Sequence, residues 1–170
     1  KTKQADFSLE KRTVLVNALT QQYTSLQPSN LTTSRIQSLA NQNTFTITTG
    51  HQLNLLGGPL FFLYKIITTI NLAKELKRND PKNNFIPIFW MATEDHDFEE
   101  INHFNFLNKR FQWSQETSGA VGLLDTSGLS DLIGVFSNVL GKTVTAKFLK
   151  ELLNKSYTNH SNLADATRFL

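Results

Sequence analysis

Apolar positions along the chain first recur at helical spacing and then change period. Leu9, Leu15, Val16, Leu19 and Tyr23 share one side of a helix, with Ser8 placed to cap its start and Gln27-Pro28 beyond its end. A weaker repeat of Leu31, Ile36, Leu39 and Ala40 follows a cap at Ser29 or Asn30 and runs into the polar turn Asn41-Gln42-Asn43. From Thr44 to Thr49 β-branched residues dominate and stop at Gly50, which predicts a buried strand. Pro59 suits the first position of a helix, where its missing N–H is not needed. That helix is predicted to reach about Arg78 and to bury Phe62, Ile66, Ile70, Ala73 and Leu76. Lys74, Lys77 and Arg78 complement its negative end, and Asn79-Asp80-Pro81 stops it. Phe85 to Thr93 is an apolar run of strand length, as expected of a parallel strand covered on both faces. Pro87 opposes that reading, because it cannot donate to a ladder and belongs at a strand's start or edge.

Strand, helix and strand make a right-handed βαβ unit over 44–103, so the fold class is α/β with a parallel sheet. Segments that directly follow the two strands leave on the same edge of the sheet, which predicts that His51 and the run Glu94 to Asp97 lie near one another. Phe104-Asn105-Phe106 and Phe111-Gln112-Trp113 alternate across Asn108-Lys109-Arg110, predicting a small hairpin outside that sheet. A short strand is expected in Ala120 to Leu124, before Asp125 and Ser127 turn the chain. A helix follows with Leu129, Leu132, Ile133, Phe136 and Leu140 on its apolar side, ending at Gly141. Another spans about Val144 to Lys155 with Phe148, Leu149 and Leu152 inward, and a third pattern begins at Asn162. That pattern is still running at Leu170 and the chain opens on Lys1 rather than Met, so 1–170 is expected to be one domain cut from a longer protein.

Composition narrows the classes. Hydrophobic residues at 39% and charged residues at 18% describe a globular chain rather than a disordered one. The net charge of +3 is spread without a basic block, so no nucleic-acid partner is expected. The richest apolar run, Leu53 to Ile67, is broken by Asn54, Gly57-Gly58-Pro59 and Lys65 and is no membrane span. Cysteine is absent, which removes disulfides and thiolate zinc sites from this segment and is compatible with a cytoplasmic setting.

Two stretches could carry chemistry. In the loop Gly50 to Pro59, Gly57-Gly58 ahead of a helix start could let an anion approach backbone N–H groups. The pattern is neither G-x-G-x-x-G nor Walker A, and glycines that merely shape a turn explain it equally well. His51 could donate to a phosphate or stabilise transition-state charge, although a histidine in a turn is more often structural. Lys65 reads as a surface lysine with its stem along the helix. The second stretch, Glu94-Asp95-His96-Asp97 with Glu99, Glu100 and His103 behind it, places four consecutive ionisable groups after a buried strand. They would repel and lose solvation unless they met water, a cation or a substrate amine. Acids in a helix's first turn are the structural explanation; a reactive edge of the sheet is the functional one. The H-E-x-x-H zinc motif and the G-x-S-x-G elbow are both missing, so no metal site is assigned. A metal-dependent hydrolase using His51, His96 and the acids, or a non-catalytic module binding a nucleotide or other small ligand, remain the alternatives.

With these residues in view, the sequence resembles the BshC family, the cysteine ligases of bacillithiol biosynthesis. The resemblance rests on Thr48-Thr49-Gly50-His51-Gln52, on Gly58-Pro59-Leu60 with Tyr64-Lys65-Ile66, and on Asn71-Leu72-Ala73. It rests above all on the unbroken block Phe89 to His103, and extends thinly through Gly119-Ala120-Val121-Gly122 and Leu163 to Thr167. It implies a Rossmann-like core, flanked here by N- and C-terminal helices, within a longer protein that dimerises through a coiled coil absent from this chain. The implied reaction adds cysteine to glucosaminyl malate, the last step to bacillithiol, through an activated carboxylate. ATP or ADP with Mg would then serve as cofactor. Joined to the residue reading, this assigns Gly50, Gly57, Gly58 and Pro59 to cofactor binding and Gln52, Glu94 and Asp95 to substrate. His51, His96 and Asp97 become the catalytic candidates, and the fragment alone is expected to be inactive.

Overall fold

Ser8 caps the first helix by accepting from the Lys11 N–H in the computed structural model, which describes residues 7–170. The chain forms two compact units, one from residues 7–49 with Ile67–Phe89 and the other from Gly50–Ile66 with Trp90–Leu170. Three elements, β1 (Thr44–His51), α3 (Leu60–Asn79) and β2 (Asn84–Met91), run from one unit into the other.

In the first unit α1 (Leu9–Tyr23) packs on α2 (Asn30–Ser38), and of the two candidate caps it is Ser29 that accepts from Thr32 N–H. Val16, Ile36 and Leu39 form the buried centre, with Leu15, Leu19, Tyr23 and Ile86 packed around it. Arg12 lies inside this unit, only 4% exposed, and donates to the carbonyls of Leu39 (2.9 Å) and Thr44 (3.1 Å). Those two bonds offset part of the cost of burying its charge.

β1 and β2 pair in parallel as a two-stranded sheet, each extending slightly past or short of its predicted limits. The Asn84 N–H meets Asn43 O at 2.8 Å and the Ala92 N–H meets His51 O at 3.1 Å. By the alternation of a strand, even-numbered residues of β2 therefore point their N–H groups at β1, and Pro87 occupies a position facing the open edge. That placement removes the objection to a proline here. The expectation that β2 is covered on both faces is corrected: its residues are half-buried and Trp90 is 58% exposed, because two strands offer too little surface for helices to close over. In α3 the buried positions are Thr69 and Ala73, while Ile70, predicted inward, is turned one position out of the buried stripe.

The second unit has its own core. The hairpin β3 (His103–Phe106) and β4 (Lys109–Gln112) turns at Leu107 and Asn108, both with positive φ, rather than over Asn108 to Arg110. Two consecutive left-handed residues match the right-handed twist of the strands they join. Phe104 stacks on Phe111, and Phe136 of α5 (Leu129–Val139) meets both edge-on. Around them pack Leu53, Leu55, Phe98, Trp113 and Val121, with residues of α6 (Val144–Thr158) and α7 (Leu163–Phe169). Gly141 ends α5 with φ 79°, as predicted. In α6 the inward residues are Ala146, Leu153, Ser156 and Tyr157; Phe148 is 61% exposed and Leu149 lies at the margin, contrary to the pattern reading. Ser156 and Tyr157 can go inside because each hydroxyl has a partner, Ala166 O and Leu56 N–H.

Candidate active site

β1 ends at His51 against β2, where the Ala92 N–H donates to His51 O, and Gly50 lies close against Trp90. A Cβ there would lie 3.1 Å from Trp90 O and 3.2 Å from Trp90 Cβ, so strand packing accounts for this glycine. The chain then turns through the short 3₁₀ segment Leu55–Gly57. Leu56, Gly57 and Gly58 all have positive φ, and a Cβ on Gly58 would come within 2.7 Å of Asn54 Cβ. Their three N–H groups are already engaged: Leu56 with the Tyr157 hydroxyl (2.8 Å), Gly57 with Asn54 O and Gly58 with Leu55 O. Pro59 has none. As folded, the N–H groups of Leu56, Gly57 and Gly58 are taken by partners within the chain, so none of these three is turned out toward a phosphate.

The acidic loop after β2 is held from below. The N–H groups of Val121 and Gly122 donate to Asp95 O (2.7 Å) and Thr93 O (2.9 Å), and a Cβ on Gly122 would collide with Thr93 Cβ at 2.6 Å. These bonds need a turn, which is why Val121–Leu123 is a 3₁₀ segment and the strand expected over Ala120 to Leu124 does not form. Thus Gly122 is shaped by the acidic loop it supports.

Within the loop one carboxylate is singled out. Asp95 is half-exposed while Glu94, His96 and Asp97 are exposed, so the heavy loss of solvation expected for all four is not incurred. Its Oδ2 accepts from Gln52 Nε2 at 2.9 Å, and its Oδ1 accepts from the N–H groups of His96 (2.7 Å) and Asp97 (3.2 Å). The Gln52 bond, then the two backbone bonds, hold its pKa below the ordinary carboxylate value. Gln52 Nε2 also donates to Glu100 Oε2 at 2.8 Å. One amide therefore gathers two carboxylates, Asp95 from the loop before α4 (Phe98–Ile101) and Glu100 from within it.

The predicted meeting of the two loops is made by Gln52 and not by its neighbour. The His51 ring packs near Phe61 and Phe62, with centroids 6.4 and 5.7 Å away, and its buried Nδ1 has no hydrogen-bond partner. Asp97 stands at the N-cap position of α4 without a side-chain cap bond. Pattern reasoning placed Lys65 on the surface; instead its Nζ donates to Gly50 O at 2.9 Å and lies 4.8 Å from the Phe61 ring centre. Trp90, whose indole N–H reaches Glu94 Oε1 at 3.2 Å, was also missed. A tryptophan at the end of the strand, four residues before Glu94, was the available signal. Among the described residues no three His, Asp or Glu side chains converge on a possible metal position, so the hydrolase arrangement of His51, His96 and the acids is not assembled here.

Comparison with known proteins fits this architecture. A family profile described as bacillithiol biosynthesis BshC, N-terminal Rossmann-like domain, matches residues 1–170. A relative from Flavobacterium psychrophilum named "Putative cysteine ligase BshC" is 60% identical over 161 residues, covering 95% of this chain and 30% of the relative. Its namesake from Flavobacterium johnsoniae is 55% identical over 168 residues, 99% of this chain and 32% of the relative. One from Bacillus thuringiensis is 42% identical over 89 residues, 52% of this chain and 16% of the relative. The chain spans about a third of the length of the first two relatives. No helix among the described residues is long and apolar enough to cross a membrane. The chain belongs to the BshC family of bacillithiol biosynthesis, matching its N-terminal Rossmann-like domain.

Proposed function

We propose that this chain supplies one wall of the site at which a longer BshC-type ligase joins cysteine to glucosaminyl malate, the last step to bacillithiol. The observation that carries the reading is the Gln52 bridge to Asp95 and Glu100 at the C-terminal edge of the parallel pair, where α/β proteins bind their ligands. Joining the two substrates requires the sugar ammonium to lose a proton. Its nitrogen then attacks the activated carboxyl carbon of cysteine, the C–N bond forms as the bond from that carbon to the activating group breaks, the activating group leaves with its electron pair, and the nitrogen sheds a second proton to give the neutral amide. A carboxylate held ionised, as Asp95 is, is a poor proton acceptor near neutrality and a good anchor for a substrate ammonium. The proton acceptor is assigned instead to His96 or Asp97, whose side chains are exposed beside Asp95. The Leu56 to Gly58 amides, taken by their own partners, are given no part in activating the carboxylate.

The test is amide formation by the full-length protein from cysteine and glucosaminyl malate, followed by product mass. His96→Ala and Asp97→Asn are assayed beside wild type. The reading expects the bacillithiol mass from wild type and a large loss in at least one variant. No product from wild type with any energy source, or wild-type turnover in both variants together, would remove it.

A further inference from the structure

A groove of about 620 Å³ lies within the first unit, between α2, the C-terminal half of α3 and β2. Its apolar lining includes Phe85, Pro87 and Ile70, and besides Lys77 three cations line it: Arg35 from α2 and Lys74 and Arg78 from α3. None of the three has a hydrogen-bond or ion-pair partner among the described residues, and Glu75 is the one acid on the lining. Lys77 is different, because its ammonium is engaged with Pro81 O, Asn83 O and Asn84 Oδ1.

Helix dipoles favour a cation near the end of each helix but give no reason for cations of two helices to converge on one groove. Lys74 and Arg78 are four residues apart on α3, a spacing at which like charges repel. An anion in the groove would relieve that repulsion. The apolar lining sets the rest of the ligand's character, since Phe85, Pro87 and Ile70 offer an apolar surface to an apolar body. A strand is a poor occupant: Pro87 occupies the open-edge position and has no N–H there to continue a ladder. The volume falls in the range of small-molecule sites.

We propose that this groove binds a small organic anion, a phosphate ester or carboxylate carrying an apolar body, independently of the acidic loop and of the reading given above. The probe is 1-naphthyl phosphate, titrated into the full-length protein by calorimetry beside inorganic phosphate. Wild type should bind 1-naphthyl phosphate at least tenfold more tightly than inorganic phosphate. The double variant Arg35→Gln with Lys74→Gln should lose at least tenfold in affinity, and Phe85→Leu should narrow the gap between the probes. Lys147→Gln, an exposed lysine of the other unit, should change nothing. Should the double variant fail to fold, Arg78→Gln alone carries the same expectation. Equal affinity in wild type and charge variants, equal affinity for the two probes, or tighter binding of polyglutamate than of 1-naphthyl phosphate would each overturn the proposal.

Discussion

The side-chain amide of Gln52 donates to Asp95 Oδ2 at 2.9 Å, joining the residue after β1 to the loop after β2. A neutral donor here does what a lysine could not: it orders the carboxylate without neutralising it. Asp95 keeps its charge available to a ligand while its orientation is fixed by three bonds.

Replacing Gln52 by Ala removes the largest influence that lowers the Asp95 pKa. The Asp95 pKa should rise toward the ordinary carboxylate value, read from the carboxyl carbon shift as pH is lowered. Linkage gives the sign. A carboxylate with a depressed folded pKa contributes stability above its unfolded pKa and loses that contribution as pH falls through the folded value. The variant should therefore show a weaker dependence of stability on pH in the acid range, and an unchanged Asp95 titration would show that the bond is not made in solution.

Tyr157 couples α6 to the loop before α3 through the Leu56 N–H. Burial raises its pKa to about 12, against the opposing effect of the Leu56 bond. A raised pKa contributes stability below the unfolded value of 10.0 that is lost as pH climbs through about 12. The fold should weaken across that window, and Tyr157→Phe should abolish the last tyrosinate absorbance step. The same variant leaves a half-buried N–H unpaired, at a cost of roughly 1–3 kcal/mol in urea unfolding at neutral pH.

A methyl group at Gly122 has no room beside Thr93. Gly122→Ala should cost about 1–3 kcal/mol of stability, as overpacking does, and shift amide resonances of residues 93–97. Full stability with unmoved resonances would mean that the turn does not brace the acidic loop.

Much of this was legible in the sequence, and the failures have physical causes. Ser8 and the Ser29-Asn30 pair announced their helices because a side-chain oxygen before an apolar repeat has one obvious use, and Ser29 proved to be the cap of the second. The βαβ unit followed from a change of period. Periodicity could not tell that Arg12 would be buried, since its partners are the carbonyls of Leu39 and Thr44, distant in the chain. Nor could it choose between Phe148 and Tyr157 as the inward face of α6, because Tyr157 goes inside only with Leu56 opposite it. At the site, composition found the acidic loop, but which carboxylate is ordered depends on Gln52, forty-three residues earlier. Nor does sequence show that the amides of Gly57 and Gly58 are taken by the neighbouring carbonyls of Asn54 and Leu55.

The most direct test of the account is kcat/KM for cysteine addition to glucosaminyl malate by full-length Asp95→Asn. Asparagine keeps an acceptor oxygen for the His96 and Asp97 N–H groups but discards the charge. The account predicts a loss of roughly ten- to hundredfold, the worth of one charged hydrogen bond, with the melting temperature nearly unchanged. Wild-type kcat/KM in a correctly folded Asp95→Asn protein would contradict it.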